Sequence, residues 1–174
     1  KTKENIMDNF AKRLKIESSP VAPESQITVR KNVRFTLITP CLLRVEREVK
    51  GRFCDEPTQS VWFRNFDTPK FEISENDEEV KDGKGTVEIK TTKANFLYSF
   101  KQKKILRIKL IDGRTVTDFS KGNLKGTCRT LDVTAGIITV GDGVCSRGGV
   151  AVLDDSDTLV LKEDGTILPR EHKE

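Results

Sequence analysis

From residue 26 onward, apolar and polar positions alternate with period two instead of recurring at three and four. The runs are Val33–Leu37, Leu43–Glu46, Phe71–Ile73, Thr86–Lys90, Phe96–Phe100 and Ile105–Leu110, with Val61-Trp62-Phe63 as a shorter candidate. Alternation turns one face of a strand to a core and the other to water. Lys50-Gly51, Asp82-Gly83-Lys84-Gly85, Asp112-Gly113 and Asp164-Gly165 punctuate the runs. Asp-Gly between alternating runs signals a hairpin, because both residues tolerate positive φ. Strands at this spacing predict an all-β fold, an antiparallel β-sandwich or barrel. No helix-length segment separates them, which excludes Rossmann and TIM architectures.

Two stretches break the pattern. In Glu4–Lys15, Ile6, Met7, Phe10 and Leu14 recur at helical spacing, predicting a short amphipathic helix. Ser18-Ser19-Pro20 and Ala22-Pro23-Glu24-Ser25 then interrupt regular structure. Residues 1–25 thus read as a lead-in that packs on something else or frays, and residues 26–174 as the β domain. Residues 119–149 are rich in Gly, Thr, Asp and Ser, the composition of a long ordered loop or irregular edge. Such loops carry function when a rigid sheet holds them.

Composition narrows the function classes. The 174 residues suit one domain, and 35% hydrophobic against 33% charged residues leaves a modest core. Net charge is +4, and basic and acidic residues nearly balance in each half of the chain. No basic block points to nucleic acid. No apolar run reaches the ~18 residues of a membrane span. No charged–apolar–small leader opens the chain, which begins at Lys1. Cys41, Cys54, Cys128 and Cys145 form no C-x-x-C pair, and His172 is the single histidine, so no zinc set is expected. Free thiols in a reducing, cytoplasmic compartment are the preferred reading, with a Cys41–Cys54 pair as a minor option.

Most chemical candidates reduce to structural ones. Gly141-Asp142-Gly143 and Gly148-Gly149 lack the following helix and Gly-Lys-Ser/Thr of a phosphate loop, so they read as tight turns. Lys101–Lys104 with Arg107 and Lys109 is the densest basic patch, beside Tyr98 and Phe100. Strand alternation sets Lys103, Ile105, Arg107 and Lys109 on one, mostly solvated face. Lys104, Leu106, Ile108 and Leu110 then fall on the other. Ser146 has no triad partner. Asp154, Asp155 and Asp157 read as a polar turn before they read as a cation site.

Four stretches taken in order carry a resemblance. They are Leu43–Glu46 with Gly51–Gln59 and Arg64; Asn123–Asp132, reading Asn-Leu-Lys-Gly-Thr-Cys-Arg-Thr-Leu-Asp; Gly143–Ser156; and Asp164–Arg170. Together they resemble the N-terminal domain of glycoside hydrolase family 31, the α-glucosidases and α-xylosidases, over roughly residues 28–170. Val150 and Thr166 stand where that family often has an aromatic residue.

The resemblance implies a galactose-mutarotase-like antiparallel β-sandwich that precedes and supports a (β/α)₈ catalytic barrel. The family hydrolyses α-glycosides with retention through an Asp nucleophile and an Asp acid/base, carboxyls about 5–5.5 Å apart. Both sit at the C-terminal face of the barrel, which lies outside this chain. Trp62 is the sole Trp and Met7 the sole Met, so no Trp-x-Asp-Met nucleophile segment occurs. The implied role is to complete the substrate pocket with a loop. Arg129, Thr130 and Asp132 are the substrate-binding candidates, since a carboxylate accepting from sugar hydroxyls makes charge-assisted bonds. The competing reading is that Arg129 and Asp132 pair and hold the loop. Arg44, Glu46 and Asp55 read as structural ion pairs or turn caps. No cofactor is expected, and neither nucleic acid nor membrane is a partner. The partners are the barrel and an α-glycoside, with an exposed apolar docking face through which copies of the chain would also pair.

Two rival functions remain. A stand-alone carbohydrate-binding module wants exposed aromatics, and most of the nine Phe fall at core-like strand positions. A mutarotase-like epimerase needs a His and a carboxylate poised near neutral pH, and the one His is terminal.

Overall fold

The computed structural model describes residues 17–48, 50–75, 84–126 and 140–170. Over these residues the protein is all-β. The single helical element is a 3₁₀ turn, Glu24–Gln26, and every named strand pairing is antiparallel. The amphipathic run Glu4–Lys15 lies outside the described residues. The chain divides into two compact units, Lys1–Phe71 with Asp155–Glu174, and Glu72–Asp154.

The first unit holds a three-stranded sheet ordered β1 (Ile27–Arg30), β2 (Val33–Thr39), β3 (Leu42–Arg47). It also holds the hairpin β9 (Val160–Leu161) and β10 (Ile167–Leu168). Strand β2 is central and buried on both faces. Val33, Phe35 and Leu37 supply its apolar face. Its other face carries Arg34 and Thr36, also buried, so this alternation does not mark a solvated side. Asp164-Gly165 makes the expected hairpin turn, with Gly165 at φ 85° and the Lys162 amide donating to Thr166 O. Val61–Phe63 is not a strand. Its backbone instead flanks Ser19, whose amide donates to Trp62 O and whose carbonyl accepts from Arg64 N.

The second unit is a five-stranded sheet. Its order is β4 (Phe71–Glu75), β5 (Thr86–Thr91), β6 (Ala94–Ser99), β7 (Lys104–Leu110), β8 (Thr115–Val116). Asp112-Gly113 closes the β7–β8 turn, with Gly113 at φ 88°. The face expectation for β7 fails at one residue. Leu97 pairs with Arg107 but Tyr98 pairs with Ile105, so Leu106 is the extra residue of a β-bulge. A bulge resets the alternation. Ile105 lies in register with Tyr98 and Val87, and Ile108 with Phe96 and Ile89. Directly opposed residues share a face, so Ile105, Ile108 and Leu110 share the buried one. Arg107 and Lys109 take the opposite face, where Arg107 spans β6 to pair with Glu88 at 2.9 Å. Val87, Ile89, Phe96 and Tyr98 form the core, with Phe100 edge-on to Tyr98 at 5.3 Å.

Candidate functional site

The substrate-binding candidates Arg129, Thr130 and Asp132 lie outside the described residues, as does Cys128. The chain on either side of them is described, and it forms a stem within the second unit. Gly126 N donates to Gly141 O, Leu124 N to Cys145 O, and Arg147 N to Gly122 O. Asn123 locks the two arms together. Its Oδ1 accepts from both Lys125 N and Gly143 N at 2.8 Å, and its Nδ2 donates to Gly143 O at 2.7 Å. Lys125 Nζ reaches Asp142 at 2.5 Å on the exposed side.

Gly143 lets the arms meet. A Cβ there would sit 2.7 Å from Lys125 O, closer than any side chain tolerates. Gly141-Asp142-Gly143 is therefore an extended arm pressed against its neighbour, not the tight turn that its composition suggests. Gly148-Gly149 is the turn, with Gly149 at φ 79° and its amide donating to Ser146 O. It returns the chain so that Val152 N donates to Val144 O. The result is three adjacent segments joined by backbone hydrogen bonds, with Gly126 paired to Gly141 at one end.

The first unit concentrates charge. Arg34 and Glu46 face each other across β2 and β3, and Arg44 shares that face. Arg34 Nη2 and Arg44 Nη1 reach Glu46 Oε2 at 2.8 and 2.7 Å, and Arg34 Nη1 reaches Asp55 at 2.7 Å. Arg34 also stacks over Phe53, 4.7 Å from its ring centre. The carbonyl of Cys54 accepts from three guanidinium groups, those of Arg34, Arg44 and Arg64. Arg64 is 1% exposed and also donates to Pro20 O and Glu56 O at 3.0 Å. Burial pushes the Arg64 guanidinium below its ordinary pKa, and the Arg44 charge adds to that. These contacts make Arg44, Glu46 and Asp55 structural ion-pair partners.

Asp155, from the three-carboxylate cluster, is not part of a free polar turn. It accepts from Thr58 Oγ1 at 2.9 Å, from Thr158 Oγ1 at 2.5 Å and from Arg170 at 2.9 Å. This clasp ties the 55–64 segment to the β9–β10 hairpin, with Thr58 fully buried. Sequence spacing alone could not find it, because Thr58 and Asp155 are 97 residues apart.

A cleft of about 730 Å³ opens in the same unit. Glu17, Ser18 and Pro20 form one wall, Asp55–Pro57 another, and the β9–β10 hairpin, through Leu161–Glu163, a third, with Phe63 exposed among them. Lys162 pairs with Glu56 across it. No group of His, Cys, Asp or Glu among the described residues is arranged to hold a metal ion. Cys41, Cys54 and Cys145 are free thiols, so the Cys41–Cys54 bridge does not form. No helix among the described residues is long and apolar enough to cross a membrane.

Neither a protein-family model nor a curated protein matches this chain.

Proposed function

We propose that the chain is the N-terminal domain of a retaining α-glycosidase, supporting a catalytic barrel and lending it a pocket-lining loop. The observation that carries this reading is the stem. Asn123 and Gly143 hold the two described arms, which meet at Gly126 and Gly141, in one register. Fixed arms suit a segment that must present Arg129 and Asp132 to a ligand, since a rigid base lowers the cost of ordering a loop on binding. Asp132 accepts from sugar hydroxyls, and Arg129 donates to them or orients Asp132. Leu124, Val144, Val152 and Leu153, each about half exposed beside the stem, favour a covering partner, which the barrel would be. The same face would pair copies of the chain when no barrel covers it.

The test is hydrolysis of 4-nitrophenyl α-glycosides by these 174 residues and by a longer chain that includes a following barrel. The expected result is activity in the longer chain alone. There, Asp132→Ala should lower kcat/KM about tenfold or more, the worth of one charged hydrogen bond. Activity from the 174 residues, or an unaltered kcat/KM in Asp132→Ala, would overturn the reading.

A further inference from the structure

We propose that the cleft of the first unit binds a pyranose ring of a neutral oligosaccharide, at a site that uses neither Arg129 nor Asp132. The walls of the cleft are fixed before any ligand arrives. Buried Arg64 donates to Pro20 O and to Glu56 O, both at 3.0 Å, so two lining residues hang from one guanidinium. Leu161 N donates to Pro57 O at 2.8 Å and ties the hairpin wall to the same turn. The volume of about 730 Å³ lies in the ~300–1,000 Å³ range of small-molecule pockets. Binding to such a preformed site need not order its walls.

The lining has two chemistries, and a sugar ring has the same two. Phe63 is 49% exposed in the cleft, and Pro20, Pro57 and Leu161 line it as well. An exposed phenyl ring in a concave site is a platform for the C–H face of a sugar, because positive C–H edges meet the negative ring face. Lys162 pairs with Glu56 across the cleft, and Asp55 pairs with Arg34 at 2.7 Å. Pairing holds these carboxylates in place and leaves them lone pairs to accept with. A hydroxyl, donor and acceptor at once, adds to such a pair without breaking it.

Other ligand classes fit less well. A cation finds Asp55 and Glu56 already taken by Arg34 and Lys162. An acidic ligand, whether uronate or phosphate, meets Glu17 and Glu163, both exposed in the lining. A wholly apolar ligand strips water from the Lys162–Glu56 pair and returns no hydrogen bond. A neutral polyol with one apolar face meets none of these costs. The chemistry of the cleft stands apart from the glycosidase reading, and only the choice of an α-glucoside ligand rests on it.

The experiment is a titration of the full chain with maltotriose, read by amide proton–nitrogen NMR. Saturable shifts are expected at the amides of Phe63, Lys162 and Gly165. The Kd should be on the order of 1 mM, the scale of one stacked ring and a few hydrogen bonds. Phe63→Ala should weaken binding about tenfold, through the lost apolar area, and Phe63→Tyr should keep it. Lys162→Met should weaken it about threefold, the effect of one hydrogen bond. Phe66→Ala removes another exposed phenyl ring, one that does not line the cleft, and should change nothing. Spectral dispersion reports that each variant is folded. No saturable shift at these amides, or an unchanged Kd in Phe63→Ala, would overturn the proposal. So would saturation by spermidine in place of maltotriose, which would make the cleft a cation site. Hydrolysis is a separate readout: losing the glycosidase reading would leave these shifts in place, and losing the shifts would leave hydrolysis by the longer chain untouched.

Discussion

The two units solve the same problem, holding loops on small sheets, by opposite means. In the first, the three-stranded sheet presents buried arginines, and the 53–57 turn hangs from them by its Cys54 carbonyl. In the second, the five-stranded sheet is held by an apolar row, and its stem is clamped by one amide side chain and one missing Cβ. The difference lies in where failure would be felt. A charge network with shared acceptors loses several contacts at once when one member goes, and the unpaired remainder stays buried. A stem built on steric fit fails locally.

The strongest test of that contrast is Arg64→Met. Methionine keeps much of the length and loses every donor, leaving Cys54 O, Pro20 O and Glu56 O without their shared cation. A loss of about 4 kcal/mol is expected, in the range for breaking a buried charged contact. Trp62 is the sole tryptophan and belongs to the first unit, so its fluorescence in a urea titration reads this unit directly. An unshifted Trp62 midpoint would mean that the arginine cluster is dispensable. Arg64→Lys should recover only part of the loss, because one ammonium cannot reproduce the planar fork.

Gly143→Ala should cost less, about 2 kcal/mol, as overpacking against a backbone carbonyl usually does. Its Cβ meets Lys125 O and Gly126 N, so the arms must separate. The expected signature is local. Amide exchange at Gly126 and at Gly143 should accelerate, while the Trp62 transition stays in place. A shift of both would remove the distinction between the units.

What the sequence alone reveals follows the same divide. The strands β2, β3, β5 and β6 are legible because period-two alternation is a local property of neighbouring residues. The Leu106 bulge is not, since one extra residue leaves the composition of β7 unchanged while moving Ile105 from the face of Arg107 to that of Ile108. Val61–Phe63 has the composition of a strand but no sheet to join, and Ser19 takes its hydrogen bonds. Asp155 resembled a turn residue because its partners, Thr58 and Arg170, lie far along the chain. Gly143 read as a turn glycine, although what it supplies is a close approach that only the facing Lys125 reveals. The candidates Arg129, Thr130 and Asp132 rest on resemblance, and of their site the fold describes only the stem.

The smallest effect should come from the β7–β8 turn, and it tests whether surface charge matters to either unit. Asp112 accepts from Arg114 Nε at 2.7 Å and from Arg114 N at 3.0 Å. The Arg114 side chain, and then its amide, hold the Asp112 carboxyl below its ordinary value of 3.8. A carboxylate whose folded pKa is depressed contributes stability that is full above the unfolded pKa. That contribution disappears as pH falls through the lower folded value. Asp112→Ala should therefore change the stability of the second unit slightly at pH 7 and not at all once the carboxylate is protonated. Both residues are about half exposed, so ~0.5 M salt should erase much of the difference. Thermal unfolding followed by far-ultraviolet circular dichroism at pH 7 and pH 2.5, with and without salt, measures this. If Asp112→Ala instead shifted the transition as far as Gly143→Ala at pH 7 and lost that shift in acid, charge would matter to the second unit as it does to the first.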